Sequence, residues 1–193
     1  MIGLTLKLLL FYAVHSLMAA SIVKKWVSTY LPNFTRFYRI AYNLISLLLL
    51  FVALEELHVQ GELYPILFSV KGLQWLGLIL VATSAFFMLL TFRNYSLAEF
   101  LGWEMLGSNQ FNSALGSDLK INGLNQYMRH PLYTASYVFL MGYFMYSPSL
   151  PVLVLVLISA IYLYVGALLE EAKLKQQFGK AYVDYCQKVR MFI

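Results

Sequence analysis

Long apolar runs separated by short polar clusters dominate this chain, and they predict helices rather than strands. Apolar stretches at about Ile2–Val23, Ile40–Leu57, Leu73–Phe92, Leu132–Tyr146 and Leu150–Leu169 are too long and too little alternating for barrel strands. Each approaches the roughly 20 residues that carry a helix through the hydrocarbon region of a bilayer. Apolar residues occur on every face of these runs, so periodicity does not say which side meets lipid. The pattern predicts an all-α, polytopic integral membrane protein with about five transmembrane helices, the last two forming a hairpin. The first run, taken alone, has the look of a signal peptide, but it has no basic leader and exceeds the usual apolar length. It is read as a span, with Lys7 placed to snorkel toward one end.

Two stretches depart from this simple alternation. The connection from Arg93 to Pro131 is about forty residues long, too long to be structureless in so compact a chain. Ser96-Leu97-Ala98-Glu99 has the capping-box pattern, and Leu97, Phe100, Leu101 and Met105 then share a helical face. A short interfacial helix with Trp103 at headgroup level is expected. Turn formers follow, among them Gly107, Asn112, Gly116, Asn122 and Gly123, and suit either a loop that wraps a polar ligand or an ordinary surface loop. Beyond Glu171, the residues Leu174, Phe178, Tyr182, Tyr185 and Val189 recur at helical spacing, which predicts an amphipathic helix on the membrane surface, weakened at Gly179.

Composition sharpens the membrane reading. Hydrophobic residues make up 61% of the chain and charged residues 12%, which a soluble domain of 193 residues could not hide in one core. The net charge of +5 points away from nucleic acid once its distribution is followed. Lys24, Lys25, Arg36 and Arg39 follow the first span, Arg93, Lys120 and Arg129 lie between the third and fourth, and Lys173, Lys175, Lys180, Lys188 and Arg190 follow the fifth. Those segments alternate with an acidic connection and an uncharged turn, so the N-terminus is expected outside and the C-terminus in the cytoplasm. The single cysteine, Cys186, excludes a disulfide within the chain and a Cys-based metal site.

Chemistry concentrates in two clusters, Arg129-His130-Pro131-Leu132-Tyr133 and Glu170-Glu171, separated by apolar sequence with a Ser-Pro-Ser-Leu-Pro break at 147–151. Two helices folded back at that break return Glu170 to the bilayer face that holds His130. Pro131 suits the first turn of the fourth span and biases His130 toward extended backbone, aiming it out of the helix end. Carboxylates that abut an apolar span are costly against hydrocarbon and also oppose the helix dipole at a C-terminus, so local helix stability does not explain them. A plain alternative is that Arg129 anchors the interface and that the glutamates pair with Arg129, Lys173 or Lys175.

The ordered pattern Gly123…Arg129-His130-Pro131-Leu132-Tyr133, a helical hairpin, Glu170-Glu171-Ala172-Lys173-Leu174, then Phe178-Gly179…Tyr182…Tyr185 resembles the signature of the isoprenylcysteine carboxyl methyltransferase and phospholipid methyltransferase superfamily. His15-Ser16 and Tyr38-Arg39…Tyr42-Asn43 are similar to bacterial branches that include methanethiol S-methyltransferases and NnrU-like proteins. The resemblance implies one membrane-embedded methyltransferase domain over 1–193 in a bacterial inner membrane, with a cofactor site drawn mainly from 108–193. It implies S-adenosylmethionine as cofactor, with contacts from Gln110, Ser117, Asp118, Leu119, Lys120, Asn125, His130, Pro131, Leu132, Tyr133 and Glu170. Asn125 stands where the prenylcysteine enzymes place a tyrosine, and Ser117–Lys120 matches by spacing alone. Gly166 stands where those enzymes have an arginine suited to an acceptor carboxylate, which favours a neutral, small or lipidic acceptor such as a thiol, a prenylcysteine-like group or a phospholipid.

The residues support this chemistry on their own terms. S-adenosylmethionine presents a sulfonium, an ammonium, a carboxylate, a ribose and an adenine, and Glu170, His130, Tyr133 and Tyr182 offer the matching carboxylate, donors and aromatic walls. A thiol or amine acceptor must lose a proton, which makes His130 and Glu171 the catalytic candidates. His15, inside the first span, invites a metal or haem reading with His58 or His130, but no second ligand lies at helical spacing, and a hydrogen bond to a neighbouring helix is the simpler expectation. No metal is expected. A noncatalytic membrane scaffold or small transporter is the alternative, set against polar groups that gather at one surface rather than at midmembrane.

Overall fold

The computed structural model of the chain describes residues 1–92, 98, 101–103, 106, 119 and 121–192, and among these the ordered elements are helices with no extended strand. In chain order they are α1 (Ile2–Ala19), α2 (Ser21–Tyr30), α3 (Thr35–Leu63), α4 (Lys71–Phe92), α5 (Pro131–Tyr146), α6 (Leu150–Phe178) and α7 (Lys180–Lys188). The helices α1, α3, α4 and α6 are long and apolar enough to cross a membrane. The remaining expected span, the fourth, is α5, whose 16 residues rise about 24 Å, short of the roughly 30 Å hydrocarbon core. The protein is an all-α, polytopic membrane protein. Many large apolar side chains on these helices, Leu47, Phe86 and Ile161 among them, are exposed, as lipid-facing residues are.

The described chain divides into two compact units. One comprises Met1–Leu63 with the described residues 98–106, and the other Tyr64–Phe92 with Leu119 and the described residues from 121 onward.

In the first unit α1 packs against α3. Leu4 and Leu8 of α1 are buried, and so are Ala53 and Leu57 of α3. Lys7 Nζ meets Glu56 Oε2 at 2.6 Å, and the Tyr38 hydroxyl donates to the Met18 carbonyl at 2.7 Å. The apolar run expected to continue to Val23 breaks instead at Ala20, which is extended at φ −66°, ψ 138°. Its 18 helical residues already rise about 27 Å, so Lys24 and Lys25 belong to a separate amphipathic helix, α2. The next helix outruns its apolar stretch at both ends, because neither the polar start at Thr35 nor the Glu- and Leu-rich end supplies a proline.

In the second unit α4 and α5 approach without side chains between them at Gly77 and Gly142. A Cβ added at Gly77 would lie 2.6 Å from the Gly142 carbonyl oxygen, and one at Gly142 would lie 2.8 Å from that of Gly77. Small residues permit this kind of contact where lipid supplies no hydrophobic drive between helices. Ser147–Ser149 then turns the chain from α5 into α6, with Pro148 and Pro151 fully buried. The connection before α4 seals this turn, the Leu67 amide donating to the Pro148 carbonyl at 2.7 Å.

The two helices run antiparallel in steady register. Tyr137 donates to the Ala160 carbonyl at 3.0 Å, and farther from the turn Tyr133 lies against Gly166. Beyond that, His130 meets Glu170 and Glu171. The expected C-terminal stripe is divided: α6 carries Leu174 and Phe178, then Gly179 breaks the helix at φ +53°, a conformation glycine adopts without strain, and α7 carries Tyr182 and Tyr185.

Candidate functional site

The site lies within the second unit, where the segment before α5, the C-terminal part of α6, α7 and the tail after it converge. His130 precedes Pro131 at φ −124°, ψ 66°, outside the helical region as the proline requires, and its ring is 3% exposed. Its Nε2 is 3.4 Å from Glu171 Oε1, and its Nδ1 is 3.8 Å from Glu170 Oε2. The adjacent glutamates therefore reach opposite nitrogens of one imidazole.

Their surroundings differ. Glu171 is buried and accepts from Arg129 Nε at 2.6 Å, with Arg129 Nη2 at 2.5 Å and Lys175 Nζ at 3.6 Å. Arg129 Nη1 donates in addition to the carbonyls of Val189 at 2.6 Å and Cys186 at 3.3 Å. Burial works against the charge on Arg129, but the hydrogen bond and the negative charge of Glu171 outweigh it and hold the guanidinium above its ordinary range. Glu170 remains 43% exposed at its side chain. It interacts with the Tyr133 hydroxyl, and the Tyr133 ring stands edge-on to His130 at 5.4 Å between centroids. Gly166 lies against this arrangement, where a Cβ would make ordinary contact with the Tyr133 hydroxyl at 3.4 Å.

The tail after α7 closes the cluster. The amides of Arg129 and His130 donate to the carbonyls of Arg190 at 2.9 Å and Met191 at 3.2 Å, and the Phe192 ring stands 6.1 Å from His130. The hydroxyl of Tyr185 donates to the carbonyl of Asn125, which joins the turn Gly123–Gln126 to α7. Tyr182 is 1% exposed, and its hydroxyl has no hydrogen-bond partner among the described residues. Burial, reinforced by the charge of Glu171, pushes its phenol well up, so it remains a neutral donor. A buried hydroxyl without a partner costs about 1–3 kcal/mol, and a ligand offering an acceptor removes that cost.

Of the residues singled out in the sequence, the structure brings together His130, Pro131, Tyr133, Glu170 and Glu171, with Leu132 beside them and Asn125 tied in through Tyr185. Leu119 is half-buried. Gln110, Ser117, Asp118 and Lys120 lie outside the described residues, as does most of the interfacial helix expected after Ser96. The sequence reading carried the surface helix through Val189, which the structure places past the helix end in extended backbone, and it did not foresee that 189–192 would close on the cluster; the local signal there is the apolar group Met191 and Phe192. In the first unit His15 hydrogen-bonds Tyr42, at 2.8 Å from Nε2, and Ser46, at 3.2 Å from Nδ1, both on α3, as the simpler expectation for it had it.

Similarity to known proteins extends over the same part of the chain. The sequence model of the phospholipid methyltransferase family matches residues 73–181, which cover α4 and both polar clusters. The chain belongs to the phospholipid methyltransferase family. It is also similar to a methanethiol S-methyltransferase of Pseudomonas deceptionensis, 31% identical over 201 aligned positions that span 95% of this chain and 69% of that protein. No solved structure matches the chain. Both the family and this relative are methyltransferases, and the family match ends at Ala181, just before Tyr182 and the tail that closes over His130.

Proposed function

We propose that this member of the phospholipid methyltransferase family transfers a methyl group from S-adenosylmethionine to a neutral small or lipidic acceptor, a thiol being favoured, at the cytoplasmic face of a bacterial inner membrane. The observation that carries the reading is the antiparallel hairpin that sets His130 between Glu170 and Glu171. The donor set fits the cofactor: an accessible carboxylate for its cationic groups, aromatic walls, and the Tyr182 hydroxyl lacking a partner among the described residues. S-adenosylmethionine, when bound, supplies a methyl group on a sulfonium centre. A neutral acceptor is favoured over a free carboxylate because Gly166 supplies no charge and Arg129 is engaged by Glu171 and two carbonyls, and among neutral acceptors a thiol is favoured by the likeness to the methanethiol S-methyltransferase.

Glu171, held by Arg129, accepts the Nε2 proton of a neutral His130 and so selects the tautomer whose Nδ1 carries the lone pair. His130 takes the thiol proton at Nδ1, and both carboxylates stabilise the resulting imidazolium. This makes His130 the base and Glu171 its positioning partner. Glu170 and Tyr133 would hold the cationic end of the cofactor, while α7 and the tail would exclude water, so that less solvent must reorganise as charge is neutralised.

The test is transfer of methyl label from S-adenosylmethionine by the purified protein to methanethiol, a farnesylated cysteine analogue or phosphatidylethanolamine. Label in the methylated thiol, with thermal stabilisation by S-adenosylhomocysteine, is the expected result. No transfer to any acceptor together with no stabilisation would overturn the reading in favour of a scaffold.

A further inference from the structure

The His130 imidazole meets Glu171 at Nε2 and Glu170 at Nδ1, with the Tyr133 ring edge-on at 5.4 Å and the Phe192 ring at 6.1 Å between centroids. Of these neighbours Phe192 alone carries neither a charge nor a hydroxyl. Its place is fixed from two directions. It follows directly on a tail whose carbonyls are held, since the Arg129 and His130 amides donate to Arg190 and Met191, and Met128 pairs with Arg190 in a parallel bridge. Its ring stands against that of Tyr137, about two turns farther along α5, at 5.5 Å and 83° between planes.

Behind Phe192 the surface stays apolar. The Tyr137 hydroxyl is occupied by the Ala160 carbonyl across the hairpin, so what Tyr137 presents to Phe192 is its ring. Buried Thr134, between His130 and Tyr137 in the sequence, donates its hydroxyl to the His130 carbonyl of its own helix. A thiol that gives its proton to Nδ1 brings its sulfur against the imidazole, and its alkyl group then needs a wall of its own kind. Laid over Glu170, Glu171 or Arg129, that group would strip water from a charge and return nothing for it. Phe192 backed by Tyr137 is the apolar wall beside the imidazole among the described residues.

We infer that Phe192 is the specificity-determining residue of this site, a wall that limits the methyl acceptor to a small thiol whose alkyl group ends against the phenyl ring. The assignment rests on the methyl-transfer reading and narrows it, because it shuts farnesylated and phospholipid acceptors out of the same pocket. A ring held by backbone bonds on one side and by an aromatic neighbour on the other does not step aside for a longer chain, and forcing one in strains the packing.

The test is the dependence of kcat/KM on acceptor length in the purified full chain, with methyl label passing from S-adenosylmethionine to methanethiol, propanethiol, pentanethiol and a farnesylated cysteine analogue. The parent is expected to lose about tenfold or more between methanethiol and pentanethiol. Phe192→Ala is expected to reverse the trend, gaining about fourfold for each added methylene until the volume of the lost ring is filled. Phe192→Leu, which keeps an apolar side chain on the tail, should fall between the two. A merely structural role would lower kcat/KM for every thiol alike and leave the ratios between them unmoved. Transfer by Phe192→Ala and Phe192→Leu with the parent's ratios overturns the inference and leaves methyl transfer standing. So does a parent that methylates the farnesylated analogue as readily as methanethiol. No transfer to any acceptor, together with no thermal stabilisation by S-adenosylhomocysteine, overturns the methyl-transfer reading and this assignment with it.

Discussion

Each unit of this chain holds a histidine bonded across two helices, and the two histidines are treated in opposite ways. In the first unit His15 meets the neutral hydroxyls of Tyr42 and Ser46 on α3. In the second unit His130 meets two carboxylates, one locked by Arg129 and the other 43% exposed, beside a buried tyrosine hydroxyl lacking a partner among the described residues. The hydroxyl contacts of this neutral pair tie α1 to α3. The charged cluster is closed on one side, by Arg129, and open on the other, at Glu170, and the proposed cofactor site uses that open side.

The comparison is broken most severely by Glu171→Ala. Removing the carboxylate leaves Arg129 as a buried charge, and a loss of about 3–5 kcal/mol is expected, read as a lower unfolding midpoint in detergent. Little or no shift would mean that Arg129 finds another partner and that the closed half of the site is not built on this pair.

Glu170→Gln probes the open half. It should leave the unfolding midpoint of the ligand-free protein near that of the parent while weakening binding of S-adenosylhomocysteine by about tenfold or more in calorimetry. Unchanged affinity in this variant and in His130→Ala would remove the proposed cofactor site.

Tyr182→Phe has an effect whose sign depends on occupancy. Deleting the hydroxyl should stabilise the ligand-free protein by about 1 kcal/mol, and it should weaken the ligand complex about fivefold. A drop in stability without ligand would show that the hydroxyl is satisfied in solution.

His15→Ala sharpens the contrast from the other side. Hydrogen bonds between membrane helices average about 0.6 kcal/mol, so a loss of that order is expected, with cofactor affinity unchanged. A loss of affinity would make the neutral pair part of the site.

The return of Glu170 and Glu171 to His130 was legible in the sequence because it depends only on a proline-bearing turn and on the second helix, 29 residues long, running back past the start of the first, 16 residues long. Helix ends were less legible. Ala20 breaks the first run without a glycine or proline to announce it, whereas Gly179 was visible as a weak point, although not as a left-handed break. The glycine contact between α4 and α5 was also hidden, since a small residue in an apolar run signals close approach only once its partner is known. The tail was hidden for a related reason. The pairing of Arg129 and His130 with Arg190 and Met191 joins backbone atoms some sixty residues apart, and no local periodicity encodes it.

Helices whose backbones touch have no slack. With Gly77 against Gly142, α4 and α5 can neither slide nor part without losing their shared surface, and they shift as one piece. At the other end of α5 the cover over the imidazole hangs from Gly179, where a left-handed glycine joins α6 to the short helix and the tail whose carbonyls bind the Arg129 and His130 amides.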